Sequence, residues 1–202
     1  MATPYVFLTG FGPFLDVELN PSGELAGALD GASFDGAQVS AVVLPVAFDE
    51  VAPAYRGALA ALAAHGGERP LALLSMGVHR EAWFRLERRA RPQLTSTKPD
   101  TGGRSAAELG PLGDTELHTG LDLDALAAAL ERGGAREVGL SDDAGGYVCE
   151  RTYYEVLERA AELGVPGLFL HVPPADLVPI AEQRGPVESL LRELVRQARA
   201  AS

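Results

Sequence analysis

Gly167-Leu168-Phe169-Leu170-His171-Val172-Pro173-Pro174 is an apolar run stopped by a proline pair, the pattern of a strand that ends close to its histidine. Four earlier segments share this apolar, partly β-branched character, at 5–9, 39–44, 71–76 and 137–140. Helical patterns lie between them. Residues 50–65 are rich in alanine and leucine, 123–132 stop on Gly133-Gly134, a run beginning near Cys149 continues to about Leu163, and Pro186 opens a last run over 187–200. Strands alternating with helices predict the α/β class, a three-layer α/β/α sandwich on an open, largely parallel twisted sheet.

A chain of 202 residues with 47% hydrophobic content fits one domain, 1–202, with a sizeable core. Met1-Ala2-Thr3-Pro4 has no basic stretch before an apolar run and does not read as a signal peptide. No apolar run approaches the roughly 20 residues that a spanning helix needs, so no membrane association is expected. The single cysteine, Cys149, cannot form an intramolecular disulfide and is either an inert core thiol or a reactive one kept reduced in a cytoplasmic setting. Twenty-eight acidic against 17 basic residues give a net charge of −11, which repels phosphate backbones and excludes nucleic-acid binding.

Residues 91–119 break the alternation, with three prolines, four glycines and no sustained periodicity. They read as a long loop. Loops of that length are often lids or contact surfaces, and a solvated insertion is the plainer alternative.

Cys149 ends Ser141-Asp142-Asp143-Ala144-Gly145-Gly146-Tyr147-Val148-Cys149, where a helical pattern begins. Helix N-termini offer free N–H groups and a partial positive charge, which favour thiolate. Cys149 also shares a helical stripe with Thr152, Tyr153, Val156 and Ala160, as an inert buried cysteine does, and this segment alone leaves both readings open. His171, at the carboxyl end of its strand, lies where open α/β sheets bind ligands. His65, His79 and His118 have weaker contexts, and no metal-ligand spacing is present. Gly10-Phe11-Gly12-Pro13-Phe14 lacks the third glycine of a dinucleotide turn, and Pro13 removes an N–H from the loop, so no nucleotide cofactor is expected. The two phenylalanines either hold a flat apolar ring or fill the core.

Three segments together resemble the pyrrolidone carboxyl peptidases, or pyroglutamyl peptidases type I. They are Leu8-Thr9-Gly10-Phe11-Gly12-Pro13-Phe14 with Asn20-Pro21-Ser22, then Asp143 through Cys149 with Tyr153-Tyr154, and Leu170-His171-Val172-Pro173-Pro174. The resemblance spans essentially the whole chain. It implies a cysteine exopeptidase that removes an N-terminal pyroglutamyl residue from peptides through a thioacyl-enzyme, with Cys149 as nucleophile, His171 as base and a glutamate that orients the base. Leu86-Glu87-Arg88 fits the family's sequence around that glutamate, whereas Glu81 follows the third strand too closely. Phe11, Phe14, Val46, Val78, Tyr147 and Val148 are implied as substrate-binding positions, with no metal or other cofactor. Relatives are often tetramers, so the resemblance admits a dimer or tetramer here.

Two departures stand out. Val78-His79-Arg80-Glu81-Ala82-Trp83 replaces a glycine-rich turn, and Thr97-Lys98 stands where many relatives place Arg-Ile before Pro-Asp. With its polar composition, the 91–119 segment is expected to be a mobile lid.

Overall fold

Asn20-Pro21 starts a helix that the sequence reading lacks. In the structure, a computed structural model describing residues 3–15, 17–64 and 69–201, the buried strand β1 (Tyr5–Phe11) is followed by α1 (Pro21–Leu29). The Asn20 side chain accepts from Ser22 N, and Pro21 sits in the first turn, where a missing N–H costs nothing. Gly23 and Gly27 dilute the apolar stripe and hide it from a periodicity search. A Cβ on Gly10 would lie 2.0 Å from Ser22 O, and one on Gly23 2.3 Å from Phe11 O. Both glycines are required because β1 and the start of α1 touch backbone to backbone.

The remaining elements are β2 (Ser33–Phe34), β3 (Ala37–Leu44), α2 (Phe48–Ala64), β4 (Ala72–Val78), β5 (Phe84–Glu87), β6 (Arg89–Ala90), β7 (Leu117–His118), α3 (Leu123–Arg132), β8 (Val138–Ser141), α4 (Val148–Leu163), β9 (Gly167–Val172) and α5 (Ile180–Ala200). Among the described residues, seven strands form one sheet in the order β2-β3-β1-β4-β9-β5-β8. Its centre, β3-β1-β4-β9, is parallel. β5 runs antiparallel to β9 and carries β8 parallel to itself. Successive β1 residues alternate between two cores: Val6 and Leu8 pack with α1, α3 and α5, while Tyr5, Phe7 and Phe11 pack with α2 and α4. This is the expected three-layer α/β sandwich. No helix among the described residues is long and apolar enough to cross a membrane.

Two expected boundaries move. α2 starts at Phe48 rather than residue 50, because the Asp100 carboxylate accepts from Phe48 N at 2.7 Å and serves as a cap from a distant loop. The end expected at His65 lies outside the described residues. Pro186 lies inside α5 rather than opening it. The earlier turn is held by buried Gln183, whose amide donates to Pro173 O at 3.1 Å and Val178 O at 2.6 Å.

The 91–119 segment is irregular apart from a short 3₁₀ turn, Ala106–Glu108, and β7, which pairs with β6. Buried Asp100 accepts from Phe48, Gly102 and Arg104 backbone N–H groups at 2.7, 2.9 and 2.9 Å. Thr95 N and Ser96 N both donate to Gly146 O at 3.0 Å, and Tyr154 Oη donates to Thr115 O at 2.9 Å. These bonds fasten the segment to α2, to the turn before α4 and to α4 itself.

Candidate active site

The carboxyl ends of the parallel strands converge with the start of α4. Phe11 closes β1, Val46 follows β3, Val78 closes β4, His171 is next to last in β9, and Tyr147, Val148 and Cys149 begin α4. All of them, with Phe14, line one cavity of about 870 Å³. The turn bearing Phe14 is welded to α1: Phe11 N donates to Ser22 Oγ at 3.1 Å and Asn20 Nδ2 to Gly12 O at 3.0 Å. Tyr147 packs edge-on against Phe48 with ring centroids 5.3 Å apart, faces Phe14 at 6.4 Å, and donates its hydroxyl to Pro99 O at 2.9 Å.

Gly77 is paired with His171 in the β4–β9 register, and a Cβ there would fall 2.8 Å from Cys149 Sγ and 3.0 Å from the Phe169 ring. The glycine thus leaves the slot that the sulfur occupies beside the histidine strand. Cys149 lies in the first turn of α4, after Tyr147 at the N-cap position. Burial pushes its thiol up to about 12, with Glu87 and Glu150 adding to the rise and Arg85 and its own backbone N–H opposing it. The residue keeps solvent contact through the cavity, which tempers the burial cost without cancelling it. Desolvation thus works against the thiolate that the helix end favours.

Fully buried Glu87 lies behind the cavity, with Oε1 2.7 Å from His171 Nδ1, and its backbone carbonyl accepts from Tyr153 Oη at 2.8 Å. Among the described residues its Oε2 has no hydrogen-bond partner. Glu81, the other candidate, pairs instead with His79 Nδ1 at 2.8 Å. His79 is 5.8 Å from His171 between ring centroids. Burial, before the charges of His171 and Arg85, lowers its pKa against the raising effects of the Trp83 carbonyl and Glu81. His118 lies away on β7, paired with Glu116 at 3.0 Å, and His65 falls outside the described residues. Among the described residues, no group of His, Cys, Asp and Glu could hold a metal ion.

Arg85 is the residue that sequence reasoning missed. Its Nε donates to Glu87 Oε1 at 2.8 Å, and its Nη2 donates to Asp143 O at 3.3 Å and lies 3.4 Å from His171 Nδ1. Its position two residues before Glu87 on a strand, hence on the same side, was the available signal.

A family model described as pyroglutamyl peptidase matches residues 5–201. The chain belongs to the pyroglutamyl peptidase family. A pyrrolidone-carboxylate peptidase of Saccharolobus islandicus is 30% identical over 172 residues, covering 83% of this chain and 78% of the relative. The crystal structure of a pyrrolidone carboxyl peptidase from Thermus thermophilus superposes with a TM-score of 0.75 at 31% identity, covering 93% of this chain and 99% of the other. At 21% identity, the Bacillus amyloliquefaciens pyroglutamyl peptidase I shares the fold, with a TM-score of 0.84 over 96% of this chain and 98% of its own.

Proposed function

We propose that this member of the pyroglutamyl peptidase family is an active cysteine exopeptidase, a single peptidase domain that hydrolyses the bond after an N-terminal pyroglutamyl residue. Cys149 is the nucleophile, His171 the base and then the acid, and Glu87 the group that orients His171. The observation that carries this reading is the 2.7 Å contact between Glu87 Oε1 and His171 Nδ1 at the back of a cavity that Cys149 also lines.

With Nδ1–H donated to the carboxylate, the imidazole presents an unprotonated Nε2 to the site. The buried thiol keeps its proton at neutral pH, so that proton passes to His171 as sulfur attacks the pyroglutamyl carbonyl. Glu87 then faces an imidazolium, which it stabilises. His171 gives the proton to the leaving amine, and the peptide departs without its first residue. Water, deprotonated by the same imidazole, attacks the thioester and frees pyroglutamate and Cys149. Backbone N–H groups at the start of α4, including that of Cys149, suit the oxyanion of each tetrahedral intermediate.

A pyroglutamyl ring is a neutral lactam, and Phe11, Phe14, Val46, Val78, Tyr147 and Val148 supply apolar and aromatic walls for it. The alternative, a non-catalytic relative that binds a small lactam or peptide N-terminus, rests on the altered loop at Thr97-Lys98, and the retained Cys149, His171 and Glu87 argue against it. The free thiol fits a reducing, cytoplasmic setting. Exposed Leu15 and Val43, outside the cavity lining, offer apolar surface to a dimer or tetramer, which light scattering would read. The direct test of function is hydrolysis of a chromogenic pyroglutamyl amide by the wild type and by Cys149→Ala. Release by the wild type alone is the expected result, and equal activity in the alanine variant would refute the mechanism.

A further inference from the structure

Two carboxylates oppose a negative charge on the Cys149 sulfur, those of Glu87 and Glu150, and each is met by its own arginine. Buried Glu150 accepts from Arg91 N at 2.7 Å, Nε at 3.3 Å and Nη2 at 3.0 Å. Glu87 is answered by Arg85, which stands directly opposite His171 in the β5–β9 pairing and lines the cavity. Its Nε donates to the same Oε1 that faces His171. The imidazole Nδ1 cannot both donate to Glu87 and accept from Arg85, and the 2.7 Å contact prevails over the 3.4 Å one. Arg85 therefore bonds Glu87 and Asp143 O, and stands beside the imidazole as a cation.

We propose that Arg85 is a positioning residue for the reaction, one that locks Glu87 in the orientation holding His171 and offsets the carboxylate's field at Cys149 as the sulfur becomes thiolate. The proposal rests on the roles given above to Cys149, His171 and Glu87. Several charged or titratable groups near the cluster are already engaged, Tyr147 by its bond to Pro99 O among them, while Glu18, Arg80, Lys98 and Asp176 also line the cavity. Glu150 and Asp143 meet Arg91, His79 meets Glu81, and Tyr153 donates to the Glu87 carbonyl. Among the described residues, Arg85 and His171 are the two donors to Glu87 Oε1, and Oε2 has none. Without Arg85 one contact is left to set the carboxylate's rotation, and an unscreened negative charge remains near the sulfur.

The test compares the wild type with Arg85→Gln and Arg85→Lys, each checked by thermal melting. Hydrolysis of a pyroglutamyl amide gives kcat and KM, and iodoacetamide alkylation rates from about pH 7 to about pH 9, where a one-unit displacement is a tenfold change in rate and a lysine stays charged, read the Cys149 thiolate without turnover. Arg85→Gln is expected to lower kcat about 10- to 100-fold, to change KM less than about threefold, and to displace the alkylation profile upward by about one pH unit. Arg85→Lys keeps the charge and loses the fork, so its alkylation profile stays within about half a unit of the wild type while kcat recovers only in part. An alkylation profile left in place by Arg85→Gln overturns the proposal, whatever happens to kcat. So does a KM rise at constant kcat, which makes Arg85 a substrate-binding group. Should Arg85→Gln fail to fold, Arg85→Lys decides, because a displaced profile at preserved charge contradicts the account. Hydrolysis by Cys149→Ala brings down the catalytic assignment instead, and the alkylation arm keeps the two failures apart.

Discussion

His171 Nδ1 and Glu87 Oε1, 84 residues apart in sequence, meet at 2.7 Å because β5 enters the sheet antiparallel beside β9. Glutamine at position 87 keeps the shape but can offer an N–H to Nδ1, which favours the tautomer with its proton on Nε2 and removes the base. Glu87→Gln is therefore expected to lower kcat by about 10² to 10⁴ with residual activity remaining. Glu81→Gln, whose partner is His79, should cost less than about threefold. Steady-state kinetics of the two variants decide, and a reversed order would reassign the orienting role to Glu81.

Cys149 gives a pH dependence whose sign follows from its environment. Its folded thiol is pushed up to about 12 from an ordinary value of 9.0, chiefly by burial. The unfolded chain therefore ionises first, and the stability linked to this group is present below pH 9 and lost as pH climbs toward 12. Cys149→Ala removes that contribution, so its unfolding free energy should fall less steeply with alkaline pH than that of the wild type. Denaturant titrations on either side of pH 9 measure the difference, and parallel slopes would show that the thiol is not held protonated.

Gly77→Ala places a methyl 2.8 Å from Cys149 Sγ and 3.0 Å from the Phe169 ring. Both neighbours are side-chain atoms, so the fold should survive at a cost of about 1–3 kcal/mol. The sulfur has to move to make room. Hydrolysis is expected to fall far more than thermal stability, and a variant with full kcat would mean that the sulfur's position is not restricted by this slot.

The parallel core was legible because β1, β4 and β9 are runs of buried residues, as in Leu168-Phe169-Leu170, and β3 is apolar and partly β-branched. β5 was not, since Phe84-Arg85-Leu86-Glu87 is short and half charged, and its two charged residues face each other rather than solvent. For the same reason Glu87 was reached through resemblance, and Arg85 was missed. Pro186 misled as a helix opener because the true start is held by Gln183 bonding to distant carbonyls, which no local pattern records. The loop was legible as a loop, but its fastening depends on Asp100 reaching Phe48, 52 residues away.

That fastening leads to the last prediction. Burial opposes the Asp100 charge, but backbone N–H groups of Phe48, Arg104 and Gly102 outweigh it and hold the carboxyl below the usual carboxylate range. A depressed folded value stabilises above the ordinary value of 3.8 and is lost as pH falls below it, so the loop should loosen in acid before the core does. Asp100→Ala strands those donors and is expected to cost about 2 kcal/mol. It should also raise KM, because Lys98 lines the cavity between Ser96, whose N–H is tied to Gly146, and Pro99, whose carbonyl is tied to Tyr147. With the backbone held there, Lys98→Ile extends the apolar wall and should lower KM for pyroglutamyl amides about three- to tenfold, the equivalent of about 1 kcal/mol of apolar contact. In the Asp100→Ala background the same change should gain little, since the side chain no longer has a fixed origin. Equal gains in both backgrounds would mean that the Asp100 bonds do not set the position of Lys98, and that the wall is held by its other ties.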